Sequence, residues 1–368
     1  MASRHRIAAL SAVAMASALV LAVALACSRW VERGARTSGQ RARRPHPRFA
    51  VSLVADHFQR GNIHTHSTRS DGTASLEAMV GWYRDHGYQF VAMTEHHVRL
   101  DPSELEPLSA PGFVVIPGEE VTNSWGRGGD EHPLHANALC AGATLADGER
   151  FDHADQGLSA MLAAIRAQGG VPLINHPNYG WALDADDIVH GASGRYLLEI
   201  WSGLPAVEAE GDLIHRSEES KWNDVLASDT DAIPVAVDDA HGDHEGDGGS
   251  DALPGRGWVE TFGRETSVAA ICAALAEGRL FASSGPSFAR LAVQGDTFAV
   301  ATTDAAATID FVGEGGAVLL QVHTADVPAR DGVREVPYRL AGDELWVRAR
   351  IADARGHHAW TAAYRVAD

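Results

Sequence analysis

The sequence predicts a mixed α/β fold followed by a small antiparallel β domain. Between residues 50 and 286, seven short apolar runs alternate with segments of helical periodicity. Repeated strand and helix units of this kind build a parallel sheet or a barrel. From 287 to 368 the pattern changes to Val, Thr, Leu and Phe runs broken by Gly and Asp, which is typical of antiparallel strands.

The seven strands and three helices of the first region are predicted from local patterns. In chain order, the strand runs are NIH, FVAMT, FVVIPG, HANALC, VPLIN, LLEIW and IPVAV. In SLEAMVGWYRDHG, Ser75 is placed to cap a helix and Gly87 to end it. LSAMLAAIRAQGG repeats this pattern with Gly169 at its end, and TSVAAICAALAEG predicts a helix that begins near Thr266 or Ser267.

Residues 1–27 are predicted to be a signal peptide or a membrane anchor. Basic residues precede an uncharged apolar run from Ile7 to Cys27, about the length that crosses a bilayer. Three fates stay open: cleavage at the A-x-A-like site Ala24 to Ala26, lipid attachment at Cys27 in ALAC, or retention as an anchor. Each predicts an exported, periplasmic or otherwise extracytoplasmic protein, and two of them attach it to the membrane. Residues 28–49, rich in Arg and Pro, are expected to be a linker.

The charge distribution argues against nucleic acid as a partner. Residues 1–48 carry nine of the 30 basic side chains but one of the 49 acidic ones, so the rest of the chain is strongly acidic. Non-specific binding to nucleic acid depends on clustered Lys and Arg. The expected partner is instead a small-molecule ester, with the acidity serving solubility and metal binding.

Two of the three cysteines lie in the predicted folded region. Cys140 and Cys272 occur in the apolar contexts ALCAG and AAICAAL, without a C-x-x-C spacing. The sequence therefore favours buried free thiols over a disulfide at these positions.

Ionisable side chains follow or border the predicted strands at six places. In a (βα) barrel the active site is built where the strands end, so ligands are expected there. A lone histidine is more often a core or surface residue than a ligand, but six coincidences favour one site. The residues concerned are His64, His66 and Asp71; Glu95, His96 and His97; Glu119 and Glu120; His132 and His135; His176; and Asp238, Asp239 and His241.

The ordered motifs HTHSTRSDG, TEHH, GEE, LHANAL, NHP and DDAH resemble those of the PHP (polymerase and histidinol phosphatase) domain family of metal-dependent hydrolases. The resemblance covers about residues 60 to 285. It implies a distorted (β/α)7 barrel with a site for two or three divalent metal ions. TEH stands where TDH is commoner in the family, and the choice of Glu120 over Glu119 depends on its spacing from Gly118.

The resemblance also implies how the ligands divide among the metals. Glu120 bridges two ions in this scheme. Carried over to this sequence, the ligand sets are His64, His66, Glu120 and Asp239 for one metal; Glu120, His135 and His176 for the second; and Asp71, His96 and His241 for the third. Glu95, Glu119 and Asp238 are expected to orient ligands or to be solvated. His97 and His132 are expected to lie outside the ligand sets.

Such a ligand set suits Zn, Mn or Fe and predicts hydrolysis by a metal-bridging hydroxide, with no catalytic side chain beyond the ligands. The absence of G-x-S-x-G and of a strand-to-helix G-x-G-x-x-G disfavours a serine hydrolase and a dehydrogenase. Many amidohydrolase barrels bridge their metals with a lysine, but the single lysine here, Lys221, falls in a predicted helix.

The reaction expected is phosphoester hydrolysis. Two alternatives stay open: a carboxylic or carbamate ester hydrolase with the same site, and a binding module that holds metal structurally. Arg127, in a Gly-rich loop after Glu120, and Lys221 are candidates for contacting phosphate. Trp181 is a candidate for lining a substrate pocket. The alternatives are a surface helix for Lys221, with Trp222 packed against the barrel, and packing of loops onto the barrel rim for Trp181.

Overall fold

The computed structural model describes residues 44–228, 230–242 and 252–367. The predicted signal segment and most of the linker lie outside these ranges. Among the described residues, no helix combines the length and apolar character needed to span a membrane. The α-helices are α1 (Leu76–Asp85), α2 (Pro102–Leu105), α3 (Ala154–Ala167), α4 (Ala185–Gly191), α5 (Glu218–Leu226) and α6 (Val268–Glu277).

The strands are distributed over the whole described chain. They are β1 (Leu53–Ala55), β2 (Phe58–Asn62), β3 (Phe90–Met93), β4 (Val114–Pro117), β5 (Glu120–Trp125), β6 (His132–Leu139), β7 (Arg150–Phe151), β8 (Val171–Ile174), β9 (Arg195–Ser202), β10 (Asp231–Val237), β11 (Trp258–Phe262), β12 (Leu280–Ser283), β13 (Arg290–Gln294), β14 (Thr297–Thr302), β15 (Thr308–Val312), β16 (Val318–His323), β17 (Arg334–Arg339), β18 (Trp346–Ala352), β19 (His358–Thr361) and β20 (Tyr364–Arg365). Six of these, β3, β4, β6, β8, β9 and β10, lie at runs predicted to be strands, whereas β2 ends at Asn62 and shares only that residue with the predicted run NIH.

The strands form three sheets. Six strands pair in the order β10-β9-β8-β6-β5-β7, and β16-β15-β18-β19-β12-β11-β2-β3-β4 forms the path of the largest sheet, with β20 beside β18. The third sheet has the order β1-β13-β14-β17. Strands β2, β3 and β4 are parallel to one another, as are β8, β9 and β10. The fold is therefore mixed α/β, and closure into a barrel stays a prediction.

One buried apolar cluster receives side chains from all seven predicted strand regions. Its members include Ile63, Phe90, Ala92, Ile116, Leu139, Leu173, Leu197, Val235 and Val237. Because side chains alternate along a strand, a second set from β6, β8, β9 and β10 packs with α3, α4 and α5, and another from β3 and β4 packs with α1 and α2. Covering helices explain why these strands are apolar on both faces.

The helices begin and end at residues that the sequence singles out. The Ser75 hydroxyl accepts a hydrogen bond from the Ala78 amide at 3.2 Å, and Ser267 caps α6 in the same way through Ala270. Gly278, directly after α6, has a φ of 66°, a left-handed conformation that favours glycine. Helix α3 begins at Ala154, earlier than the segment predicted for it.

Strands from both predicted domains share sheets. β12 pairs with β19, and β1 pairs with β13. Contacts within the chain unite Pro47–Leu340 and Glu344–Asp368 in one compact unit that contains every element above. The smaller unit, of which residues 44–46 and 341–343 are described, contains none of them. The boundary at 286 stays a prediction.

The expectation of two free thiols is wrong. Cys140, just after β6, forms a disulfide with Cys272 of α6, and their Cα atoms are 6.1 Å apart. The two residues are 132 positions apart in the sequence. The strand and helix packing that brings them together is not visible in local spacing.

Replacing both Cys140 and Cys272 with alanine should lower the free energy of unfolding by about 2–4 kcal/mol, because the cross-link restricts the unfolded chain. Denaturant titrations of the oxidised wild type and the double variant measure this difference. The reduced wild type serves as the control and should match the variant. Titration of Cys140 and Cys272 as free thiols in unfolded, unreduced protein would contradict the pairing.

Candidate metal centre

Nine predicted ligands meet in one cluster at the ends of the seven strands. They form three overlapping groups, and within each group one nitrogen or oxygen atom per residue lies within 4.8 Å of the others. The groups are His64, His66, Glu120 and Asp239; Glu120, His135 and His176; and His66, Asp71, His96 and His241. These match the implied ligand sets, with His66 shared by two groups.

Backbone pairing at the strand ends brings the ligands together. Beyond the ends of β2 and β10, Thr65 and Ala240 form an isolated parallel bridge, and the Asp239 amide donates to the His64 carbonyl at 3.1 Å. A second bridge joins His96, just beyond β3, to Glu120 at the start of β5. Each bridge sets two ligands side by side.

Glu120 lies at the centre of the cluster, and its two oxygens face different groups. Oε2 lies 3.0 Å from His64 Nε2 and 3.1 Å from His66 Nε2. Oε1 lies 2.9 Å from His135 Nδ1 and 3.2 Å from His176 Nε2. A carboxylate with this orientation can bridge two metal ions.

Asp239 and Asp71 supply the other two carboxylates. Asp239 Oδ1 lies 3.2 Å from His64 Nε2 and 3.3 Å from His66 Nε2, which completes the first group. Asp71 Oδ2 lies 3.6 Å from His96 Nε2 and 3.5 Å from His241 Nε2. The Asp71 side chain is 55% exposed, so the third group is the one open to solvent.

The carboxylates dominate the electrostatics. Burial opposes ionisation of Glu120, but His64 and His135 hold its pKa well below the ordinary value. Burial also opposes charging of His66 and His176, yet the surrounding carboxylates raise the pKa of each to about 9. At His96 burial prevails and lowers the pKa to about 4. A field that draws protons onto buried imidazoles also favours divalent cations.

The His66 ring fits a metal ligand. The side chain is fully buried, and neither ring nitrogen has a partner with hydrogen-bond geometry, although Nε2 lies near Glu120 and Asp239. A buried imidazole without hydrogen bonds is costly unless a further group satisfies it. Imidazole nitrogen with carboxylate oxygen suits Zn, Mn or Fe, so the residues present fit two or three such ions.

Glu199 contacts two residues of the cluster but is not among the candidates that the sequence predicts. Its Oε1 lies 2.7 Å from His64 Nδ1, and its Oε2 accepts the His176 amide at 2.8 Å. This contact directs His64 Nε2 toward Glu120 and Asp239. Glu199 also affects the buried Glu218. Burial is the larger cause and the charge of Glu199 the second, and together they raise the pKa of the Glu218 carboxyl to about 8. The available signal was an isolated acidic residue within the apolar run LLEIW.

Three other carboxylates organise loops. Glu95 Oε2 accepts hydrogen bonds from the Ser67 amide and the Ser70 hydroxyl, within the segment that leads to Asp71. Asp238 accepts three backbone amides, from residues 255, 256 and 257, and the Tyr83 hydroxyl. Glu119 accepts the amide of residue 145. All three are buried, so they are not solvated, and their role in orienting ligands stays a prediction.

The other histidines and the tentative substrate contacts lie outside the three groups. His97 pairs with Asp147, and the His132 ring stacks on Trp125. Arg127 is exposed beside His153. Lys221 is buried and donates from Nζ to the Leu183 carbonyl at 2.5 Å, and the Trp181 ring stacks on His215. Contacts of Arg127, Lys221 and Trp181 with substrate stay predictions.

Tyr179 lies closer to the cluster than those three residues. Its ring centroid is 5.3 Å from that of His176 and 6.1 Å from that of His135, and the residue is 39% exposed. It follows His176 in a short 3-10 turn, Tyr179–Trp181. Tyr179 is therefore an aromatic side chain at the solvent side of the second group.

The chain is similar to three solved structures at low identity. A two-domain protein from Bacteroides vulgatus containing a predicted PHP-like metal-dependent phosphoesterase is 14% identical with a TM-score of 0.43, covering 88% of this chain and all of that one. A protein from Bifidobacterium adolescentis, described as a candidate metal-dependent phosphoesterase, is 14% identical with a TM-score of 0.38, covering 53% and 93%. An amidohydrolase from Chromobacterium violaceum with bound sulfate and no metal is 18% identical with a TM-score of 0.37, covering 53% and 92%.

No protein-family model matches the sequence, and no curated protein matches it. Two of the three structural neighbours are described as metal-dependent phosphoesterases, and one of these two as PHP-like, the family that the sequence motifs resemble. Because all three TM-scores are below 0.5, these similarities carry no argument about function, which is inferred from the side chains of the cluster alone.

Changing Glu199 to glutamine should weaken binding of Zn or Mn by about 10–100-fold, because an amide holds the His64 ring less firmly and a supporting carboxylate contributes about this much to affinity. Competition with a chromogenic chelator measures the affinity without turnover. Glu260→Gln is the matched control, since Glu260 contacts Trp258 and Ser287 instead. Equal affinity in the wild type and Glu199→Gln would contradict the supporting role.

Proposed function

We propose that the protein is a metal-dependent hydrolase acting on phosphoric esters of small molecules. The observation that carries the proposal is the orientation of Glu120, whose two oxygens each face a separate pair of imidazole nitrogens. A shared carboxylate places two cations close enough to act on one substrate group. A distorted (β/α)7 barrel that closes around this cluster is the scaffold we propose.

Divalent ions held by the three groups would supply two effects: a lower pKa for a water molecule and neutralisation of charge on the ester. In the hydrolysis, an oxygen from water forms a bond to phosphorus and the bond to the alcohol oxygen breaks. One proton of the water ends on the departing alcohol. The chain contributes by holding six imidazoles and three carboxylates in fixed orientations, with Glu199 and the loop carboxylates as supports.

Access to the reacting centre is possible on the side of Asp71 and Tyr179. Both are exposed, whereas His64 and His66 are fully buried beneath them. A phosphoryl group entering from that side meets the third group first and Tyr179 beside the second.

His64→Ala and Asp239→Ala should each reduce turnover of a phosphoester by roughly a thousandfold or more, because each removes a side chain from the first group. The measurement is release of nitrophenol from a phosphodiester, a phosphomonoester and a carboxylic ester, with Zn, Mn and Fe supplied in turn to the metal-stripped protein. His97→Ala, which removes an exposed histidine outside the groups, is the control and should stay active.

The outcomes separate the alternatives. Preference for a phosphoester supports the proposal, and preference for the carboxylic ester keeps the metal site while changing the substrate class. Full activity of His64→Ala or Asp239→Ala overturns the assignment of those residues. Tight metal binding without turnover of any ester favours a structural metal site.

We further propose that the protein acts outside the cytoplasm. The apolar run from Ile7 to Cys27, preceded by basic residues, supports export. The pairing of Cys140 with Cys272 supports it independently, because disulfides persist mainly in oxidising compartments.

Deleting residues 2–27 should retain the protein in the cytoplasm and leave Cys140 and Cys272 reduced. Fractionation of cells that express the full chain and the deletion, followed by thiol labelling, measures both properties. Cys27→Ser tests lipid attachment, since that variant should leave the membrane fraction if Cys27 carries the lipid. An unchanged location of the deletion variant would contradict export.

A further inference from the structure

A cleft of about 840 Å³ lies apart from the nine predicted ligands. One wall comes from the segments after β9 and before β11, including Trp201, Glu208 and Glu210. The opposite wall comes from the C-terminal β region, including Asp304 and Asp353. Its volume falls within the range of sites for small organic ligands, roughly 300–1,000 Å³.

The cleft and the first group of predicted ligands share one edge of the six-stranded sheet. β9 and β10 are parallel neighbours, so Ser202 in the cleft and Asp239 in the first group lie at the same carboxyl edge. The Gly203 amide donates to the Val237 carbonyl at 2.8 Å, two residues before Asp239. The cleft and the first group thus both include residues at, or just beyond, the carboxyl ends of β9 and β10.

The floor of the cleft is rigid. The buried Asp238 carboxylate accepts the amides of Gly255, Arg256 and Gly257 at 2.7–2.9 Å. Trp201 packs against Gly257, where a side-chain carbon would lie only 2.6 Å from the indole ring. The indole is thus held in place at the cleft wall by close contact with the backbone.

The lining combines aromatic surface with an excess of negative charge. Glu208, Glu210, Asp304 and Asp353 are acidic, whereas Arg256, Arg355 and His357 are the basic side chains. Three of these charged groups are engaged: Arg256 donates to the Gly203 carbonyl, Asp304 accepts the Ala306 amide, and Asp353 accepts from the His357 ring and from two backbone amides. Glu208 and Glu210 are exposed at the end near Trp201.

We propose that this cleft binds a cationic organic group, an alkylammonium, carried on the alcohol of a phosphodiester substrate. The indole face and the carboxylates attract such a cation together. A second anionic group would meet the carboxylates instead, and a purely apolar group would desolvate them without compensation. The proposal rests on the proposed phosphoesterase function and defines its substrate class.

The test compares two chromogenic diesters of the same shape. One is p-nitrophenyl phosphocholine, and the other carries 3,3-dimethylbutanol, the uncharged carbon analogue of choline. The metal-loaded full chain should show kcat/KM about tenfold higher for the choline ester, mainly through KM. The double variant Glu208→Gln/Glu210→Gln should lose most of this preference.

A control removes the same charge elsewhere. Glu77→Gln/Glu106→Gln changes two exposed glutamates outside the cleft and should keep the preference, which separates the cleft from the overall negative charge of the chain. Equal kcat/KM for the two esters, or an unchanged preference in the Glu208 and Glu210 variant, overturns the cleft proposal and leaves phosphoester hydrolysis standing.

A binding measurement separates this proposal from the proposed function. If neither ester is hydrolysed, the proposed function fails, and calorimetric titration of the metal-stripped chain with choline decides the cleft by itself. Choline binding that weakens in the Glu208 and Glu210 variant supports a cation site. No choline binding to the wild type overturns it.

Discussion

The buried carboxylate of Glu120 is the constraint around which the described structure is arranged. A carboxylate removed from water is strongly destabilising unless positive or hydrogen-bonding groups surround it. His64, His66, His135 and His176 approach it from two sides, and the Asn175 amide donates to Oε1 at 2.9 Å. Since these groups come from different strands, the strands must converge for the charge to be tolerated.

A second set of buried carboxylates holds the loops around the cluster in place. Glu95, Asp238 and Glu199 each accept backbone amides from the loops that carry or adjoin ligands. The carboxylates of the predicted ligands and the supporting carboxylates are therefore the same chemical group, and their positions give them different roles. The ligand carboxylates face imidazole nitrogens that point into the cluster, whereas the supports bind the backbone or, as Glu199 does, the outward nitrogen of His64.

Local signals in the sequence located the strands, as apolar runs, and fourteen candidate residues, as ionisable side chains at or near the strand ends. The choice of nine among those fourteen came from the resemblance of the motifs to the PHP family. Glu199 leaves no such signal, since it occupies the interior of an apolar strand and its partners lie far away in sequence. Cys140 and Cys272 come close enough to form a disulfide only because α6 packs against the sheet, and no local pattern in the sequence shows this packing. The cleft draws its walls from both halves of the chain, and no local pattern encodes that juxtaposition.

The C-terminal strands belong to the same structural unit as the metal cluster, and charge burial explains why. Arg348 of β18 is almost fully buried, donates to Glu219 of α5 at 2.6 Å, and lies over the Trp222 ring at 4.8 Å. Leaving either partner of a buried ion pair alone costs about 3–5 kcal/mol, so the β region is held firmly against α5. Helix α5 also carries Glu218, which accepts the Asn178 amide close to His176. The same attachment holds β18, which leads directly to the cleft residues Asp353 and Arg355, against α5.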